Sequence, residues 1–380
     1  RSVENKPGMP SFVRELSDNA CALLIEARAA SQPLLHEQLA QIMASIAHFP
    51  VDQRIDFTED PTENARLWAI RKDMFPAVGA VRETGTTVII EDVLFPIEQL
   101  AIGVRRLIQL FEKHHYDEAI LFGHALEGNL HFVFTQGFND PTEIARYSAF
   151  MDDVTQLVAV EFNGSLKAEH GTGRNMAPFV ELEWGRDAYQ LMWALKRLLD
   201  PNGILNPDVV LSEDPHIHLK HLKPLPAADA IVDKCIECGF CEPVCPSKGL
   251  TLSPRQRIVM WRDIQAKKRA GTDTAELERA YHYQGIDTCA ATGLCAQRCP
   301  VGINTGELVK KLRAEEATHG KTAGWLAQHF TTALKGARFT LHAANGARML
   351  LGAPRLAKLS AALTKASSGR VPQWTPAMPQ

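Results

Sequence analysis

Apolar and polar positions mark strands and helices in turn over the first 225 residues. Ala20–Glu26 is an apolar run of strand length, with Cys21 inside it as a small buried hydrophobe. Residues 31–47 place Leu34, Leu35, Leu39, Ile42, Met43 and Ile46 at helical spacing. Asp60-Pro61 opens a helix running to Lys72, the aspartate as N-cap and the proline at the first helical position. Thr86–Ile90 is a β-branched strand, Pro96–Lys113 an amphipathic helix and Ala119–Phe122 a second strand. Helices follow over Thr142–Val160 and Asp187–Leu199. The latter is halted by Asp200-Pro-Asn-Gly-Ile-Leu-Asn206-Pro207. This order predicts an α+β domain over 1–225, with helices packed on one face of an antiparallel or mixed sheet.

Residues 212–232 are rich in proline and histidine and read as a linker, with His216, His218 and His221 solvated. Pro254–Ala270 and Thr274–Tyr283 have helical patterns, so 226–316 is expected to be all-α. After Glu316 no acidic residue follows, yet eight Lys and Arg do. Thr322–Leu341 and Ala343–Lys365 read as basic amphipathic helices within an extension over 317–380. They form either a solvated packed pair or an attachment to anionic lipid or an acidic partner.

The 380 residues suggest two or three domains. A hydrophobic content of 45% and a net charge of −3 describe an ordinary globular chain, with no pointer to nucleic acid. No apolar run approaches the roughly 20 residues of a membrane-spanning helix. The chain starts at Arg1 and ends on the proline-rich stretch Val371–Gln380, so both ends look cut from something longer.

Seven of the eight cysteines fall in two runs, and these carry the most specific chemistry. Cys235-Ile-Glu-Cys238-Gly-Phe-Cys241-Glu-Pro-Val-Cys245-Pro246 has the bacterial ferredoxin spacing for [4Fe–4S] ligation. Cys289, Cys295 and Cys299-Pro300 repeat it, but Thr292 stands where another cysteine is expected. Zinc sites favour two short cysteine pairs or Cys/His mixtures, and disulfides need an oxidising compartment. Crossed ligation assigns Cys235, Cys238, Cys241 and Cys299 to one [4Fe–4S] cluster. Cys245, Cys289 and Cys295 serve a second, which lacks one thiolate. It is therefore [3Fe–4S], or [4Fe–4S] with a non-cysteine ligand. Thiolate-held clusters imply a reducing compartment, the cytoplasm, with the inner membrane face as a peripheral alternative for the basic helices.

A second constellation lies in the first domain. Ile120–Phe134 looks like a hairpin. With Glu127-Gly128 as a two-residue turn, His124 faces His131, close enough for both imidazoles to meet one metal. Glu169-His170 sits in the glycine-rich Gly164–Arg174 stretch. Two histidines plus a carboxylate form a common divalent site, although paired histidines are also frequent in plain hydrogen bonding. Arg71, Lys72 and Arg82 are cations near strand ends. Such residues are usually surface charges, but a bidentate arginine is the usual clamp for a substrate carboxylate.

Phe122-Gly-His-Ala-Leu-Glu-Gly-Asn-Leu-His-Phe132, Gly164-Ser-Leu-Lys-Ala-Glu-His-Gly-Thr-Gly173, Leu195-Lys-Arg-Leu-Leu-Asp-Pro-Asn-Gly-Ile-Leu-Asn-Pro207 and the cysteine runs together resemble the FAD-dependent D-2-hydroxy acid dehydrogenases. The similarity is to the long form fused to a ferredoxin module, of the respiratory D-lactate dehydrogenase type, and covers residues 10 to about 316. The resemblance implies a substrate-cap domain over 1–225 and a ferredoxin module over 226–316. It implies FAD held mainly by a domain absent from this chain, and cysteine-rich domains beyond its C-terminus. It also implies that His124, His131 and Glu169 hold a divalent ion, zinc or manganese. His170 then looks like the catalytic base, Arg71 the carboxylate clamp and Asn206 a neighbour of the flavin ring. D-lactate is the favoured substrate, with D-2-hydroxyglutarate or glycolate as alternatives and a quinone or cytochrome as acceptor. An electron-transfer module without a substrate site is the contrasting reading. The chain departs from the pattern at Ala125-Leu-Glu127, where relatives read Ala-Gly-Asp. It departs again at Val133, where relatives with a tighter substrate grip are polar, and at Thr292, where aspartate is frequent.

Overall fold

The β-branched run Thr86–Leu94 forms strand β1, Ile120–His124 forms β2 and Asn129–Gly137 forms β3. In a computed structural model of the chain they make one antiparallel sheet in the order β1-β3-β2. The structure describes residues 20–52, 56–72, 82–316 and 320–378. The first 19 residues and the last two, part of the stretches that look cut, lie outside the described residues. The chain divides into two compact units, Arg1–Lys310 and Lys311–Gln380.

Strand periodicity sorts the side chains of the sheet. Ile89 and Val93 of β1 and Leu130, Phe132 and Phe134 of β3 enter the core. They meet Leu107 and Phe111 of helix α3 (Leu100–Lys113) and Tyr147, Phe150, Met151 and Val154 of helix α4 (Pro141–Thr155). Phe150 is the hub: its ring lies 4.9–6.1 Å from those of Phe111, Tyr116, Phe132 and Phe134. Burial of each such ring stabilises by about 1.5–3 kcal/mol. The other parity of β3, with Asn129, His131 and Val133, is turned from this aromatic layer and is buried as well.

Helix starts follow local chemistry. Helix α1 spans Gln32–Ile46 and helix α2 spans Pro61–Lys72. Asp60 and Asp140 accept the Thr62 and Thr142 backbone N–H groups at 2.9 and 2.8 Å, each ahead of a proline in the first turn. Helix α5 is Val180–Trp184 and helix α6 is Arg186–Leu199, with Asp200 just past its end. The cysteine segment adds α7 (Pro254–Arg269), opened by a Ser253/Gln256 capping box, then α8 (Ala275–Tyr281) and α9 (Leu294–Arg298). Helix α10 is Thr305–Glu316. The first unit thus combines helices with a small antiparallel sheet.

Three expectations change. Ala20–Glu26 forms no strand: no strand among the described residues pairs with it, Leu23 and Leu24 are exposed, and so is Cys21. In the second unit the helices are α11 (Gly320–Gln328), α12 (Phe330–Leu351) and α13 (Ala353–Ala366). The main break falls at Gly352 rather than near residue 342, because Gly352 takes φ +80° just before Pro354. No helix among the described residues is long and apolar enough to cross a membrane. His216 and His221 are exposed as expected, but His218 is buried against Phe179 and Tyr147.

Burial holds the His218 imidazole below its ordinary pKa of 6.5, and neither ring nitrogen has a hydrogen-bond partner. The folded state keeps it neutral, whereas the unfolded chain protonates it below about pH 6.5. This contribution is therefore complete above that pH and is lost as pH falls below it. Thermal unfolding followed from pH 7 to 5 should show a falling midpoint, and His218→Leu should flatten the slope. An unchanged slope in the variant would contradict this assignment.

Candidate functional site

The two hairpin histidines share a face, but not as a directly opposed pair. Ala125–Glu127 forms a turn of 3-10 helix and Gly128 closes it at φ +73°. His124 therefore pairs with Asn129, and Phe122 pairs with His131. The partner has moved by two positions relative to a two-residue turn, so parity is kept and Phe122, His124 and His131 still face one side. The His124 and His131 rings lie 5.6 Å apart, edge to face. Gly128 is required here: a Cβ would lie 2.1 Å from the Phe95 carbonyl oxygen, while its own carbonyl accepts from Phe95 N–H at 3.0 Å.

The Glu169-His170 loop is fastened to β1. Leu94 and Ser165 exchange two backbone hydrogen bonds, 2.9 and 3.0 Å. A Cβ on Gly164 would meet the Leu94 carbonyl oxygen at 2.1 Å, so only glycine permits this approach. Asp92, fully buried in β1 opposite His131, accepts the backbone N–H of Glu169 at 2.6 Å and of His170 at 3.1 Å. Buried Glu91 accepts from Asn175 Nδ2 at 2.7 Å and pairs with Lys167, whose Nζ also lies 3.6 Å from Asp92 Oδ1. Two buried carboxylates thus set the loop's path, and Lys167 supplies their countercharge.

The loop brings Glu169 over both histidines. Glu169 Oε1 lies 2.9 Å from His131 Nε2 and 3.4 Å from His124 Nε2. Ligands on a tetrahedral zinc with bonds of 2.0–2.1 Å stand about 3.4 Å apart, so this donor set fits a divalent ion. All three ligand atoms lie within 4.8 Å of one another. His131 is buried, and that burial, aided by His170, lowers its pKa and favours the neutral imidazole that binds metal. His124 and Glu169 are half-exposed, leaving the outer side of the set open to a small ligand. Asp92, His131 and His170 form a second close group, but Asp92 already serves two backbone amides and Lys167.

His170 stacks on His131 with ring centroids 4.7 Å apart. Its Nδ1 faces Asp92 Oδ1 at 3.6 Å and its Nε2 faces Glu169 Oε1 at 3.9 Å. The Arg71 guanidinium lies 4.7 Å above the Phe122 ring, with Glu169 among the charges it feels, so α2 delivers a cation to the same face. Lys72 is exposed. Arg82 is not a surface charge. It is buried and donates to the carbonyls of Thr86, Asp233 and Cys235, tying the start of β1 to the first cysteine run. Asn206 is exposed at φ +42° in the loop whose Val210 N–H bonds Gly173 O, and among the described residues no hydrogen bond joins it to His124, His131 or His170.

The cysteines gather in two groups. Burial raises the Cys235 thiol and pushes Cys241 up to about 12, and Cys238 and Cys299 add to the repulsion against thiolate formation at Cys241. Cys245, Cys289 and Cys295 line one cavity with Thr292 and the buried Arg257. Thiols release their protons when iron binds them, so clustered cysteines of this kind suit an iron–sulfur centre. Asp92 and Arg257 escaped the sequence reading. The only signal for Asp92 was a Glu-Asp pair inside a β-branched strand. Arg257 had none.

Asp92→Ala removes the acceptor of two part-buried backbone N–H groups, Glu169 and His170, and leaves Lys167 without one of its buried carboxylates, at about 1–3 kcal/mol for each group left unsatisfied. The expected outcome is a loss of about 2–5 kcal/mol in unfolding free energy and faster amide exchange at residues 169 and 170. Unchanged protection at those amides would contradict the fastening role.

Comparison with known proteins follows the same division. Residues 1–210 match the family model for FAD linked oxidases, C-terminal domain, and residues 231–303 match the 4Fe-4S dicluster domain. The chain is 32% identical over 139 residues to glycolate oxidase subunit GlcD of Bacillus subtilis, covering 36% of this chain and 29% of that protein. It is 31% identical over 182 residues to a mitochondrial D-lactate dehydrogenase (cytochrome) of Arabidopsis thaliana, covering 47% and 30%. It is 30% identical over 159 residues to a probable D-2-hydroxyglutarate dehydrogenase of Oryza sativa, covering 41% and 26%. The matched stretch thus spans under a third of each of these relatives. With its family model covering more than half of the residues, the chain belongs to the FAD-linked oxidases, through their C-terminal domain, here followed by a 4Fe-4S dicluster domain.

Proposed function

We propose that this chain is the substrate-binding and electron-transferring portion of a flavin-dependent D-2-hydroxy acid dehydrogenase, with D-lactate the favoured substrate. The observation that carries the reading is a convergence on one face. Arg71, the imidazole of His170 and the His124–His131–Glu169 donor set meet there, in the same unit as the two cysteine groups. On this reading 1–225 is the substrate cap, 226–316 the cluster domain and 317–380 a basic helical extension. FAD is held mainly by a further domain, and cysteine-rich domains and a quinone or cytochrome acceptor lie downstream. Peripheral contact with an anionic membrane is a role open to the basic extension.

When bound, the divalent ion supplies Lewis acidity toward a substrate hydroxyl, the flavin a two-electron acceptor, and the clusters one-electron carriers. The residues do the rest. Arg71 pairs with the substrate carboxylate, its guanidinium already steadied on Phe122. His170 Nε2 takes the hydroxyl proton. Asp92, facing Nδ1, orients the ring and favours the resulting imidazolium. Val133, buried between Ile90 and Ile120 in the sheet, offers no polar contact for a second carboxylate, which favours a monocarboxylate.

In the enzyme carrying its flavin domain, His170→Ala should slow flavin reduction by D-lactate about 10²–10⁴-fold in stopped flow, with iron content unchanged. Normal reduction in that variant would remove His170 from the role of base. Wild-type kcat/KM should favour D-lactate over D-2-hydroxyglutarate, and the reverse order would select the dicarboxylate reading. No reduction by any 2-hydroxy acid would leave an electron-transfer module alone.

A further inference from the structure

Resting on the cluster reading just given, we propose that Arg257 is a positioning residue for the three-cysteine cluster. Its guanidinium is the built-in countercharge that favours the reduced, more anionic form of that cluster. Arg257 is 1% exposed and is among the largest fully buried side chains. Its Nε donates to Gly285 O at 2.7 Å, and its Nη2 reaches Thr288 Oγ1 at 3.5 Å. Its Nη1 reaches Cys245 Sγ at 3.7 Å. Among the described residues no carboxylate lies within ion-pair distance of it.

A buried cation costs several kcal/mol unless an anion or a full set of acceptors compensates it. Neutral oxygens meet Nε and Nη2, while Nη1 points at sulfur. The anion that completes this site is the thiolate set of Cys245, Cys289 and Cys295, which line one cavity with Arg257. The other buried arginines beside cysteines are differently placed. Arg262 is paired with Glu237 at 3.0 Å, and both Arg82 and Arg262 bond the carbonyls of Asp233 and Cys235 rather than a sulfur. Among the described residues, the guanidinium that reaches a cysteine sulfur is that of Arg257, at the cluster short of a thiolate.

The position is held firmly. Arg257 lies in the first turn of α7, whose cap Ser253 also donates to Glu242 Oε1 at 2.6 Å. The Tyr281 hydroxyl donates to the Arg257 carbonyl at 3.2 Å. Charge sets the potential: a nearby fixed cation stabilises the form carrying the extra electron and raises the reduction potential.

The test is an EPR-monitored redox titration of the whole chain, anaerobically reconstituted with iron and sulfide, using dithionite and mediators. Wild type is compared with Arg257→Gln and Arg257→Lys. In Arg257→Gln the reduced-to-oxidised ratio of the three-cysteine cluster at fixed potential should fall at least about tenfold, 59 mV for a one-electron couple. The four-cysteine cluster should not move, and Arg257→Lys should restore most of the loss. Loss of the three-cysteine cluster from Arg257→Gln, with its retention in Arg257→Lys, also supports the countercharge. An unmoved potential in Arg257→Gln with both clusters present overturns it. Equal loss of the cluster from both variants makes Arg257 a structural anchor and overturns it too. Wild-type chain that takes up no iron overturns the cluster reading itself, and this assignment with it.

Discussion

The buried Asp92 carboxylate is the contact on which the candidate substrate face depends. It sits in β1 opposite His131 and accepts the amides of Glu169 and His170, so one side chain fixes both halves of the donor set. Burying a charge in a strand is costly, and here the cost is met by two backbone donors and Lys167. Two glycines that permit close backbone contact, Gly128 and Gly164, press against the end of β1. Strand, hairpin and loop are thus drawn to one point, and the histidines inherit their spacing from it.

The cluster half follows the same electrostatic logic with opposite sign. Near the histidines, buried Glu91 and Asp92 organise a loop and take their countercharge from Lys167. Near the cysteines, buried Arg82, Arg257 and Arg262 organise loops by donating to backbone carbonyls. Arg82 connects the two halves, leaving the start of β1 to bond the carbonyls around Cys235. A single strand therefore carries the substrate-side fastening at one end and a cluster-side tether at the other. This gives a structural reason for the two modules to share one chain.

Features decided by neighbours in sequence were legible from it. The Asp60-Pro61 helix start and the stop after Leu199 depend on local spacing and fall where expected, and the cysteine runs lie in the 4Fe-4S dicluster match. The face shared by His124 and His131 was legible as parity. Their register was not, because the 3-10 turn at Ala125–Glu127 replaces a two-residue turn without changing which side each residue faces. Features decided by distant partners were invisible. Asp92 acts on amides 77 residues away, and Arg257 on a carbonyl 28 residues away. His218 looked like a linker residue because nothing nearby in sequence reveals that Phe179 and Tyr147 cover it. Cys21 failed in the other direction: an apolar run needs a ladder partner to become a buried strand.

On the proposed reading, one chain holds a histidine–carboxylate metal centre and two thiolate clusters. Elemental and acid-labile sulfide analysis of the whole chain, reconstituted anaerobically with iron, sulfide and zinc or manganese, tests it most directly. About seven or eight irons with matching sulfide are expected, the lower figure with an EPR signal in the oxidised state, and about one further divalent ion per chain. Zinc in place of iron on the cysteines, or clusters without any further ion, would contradict it.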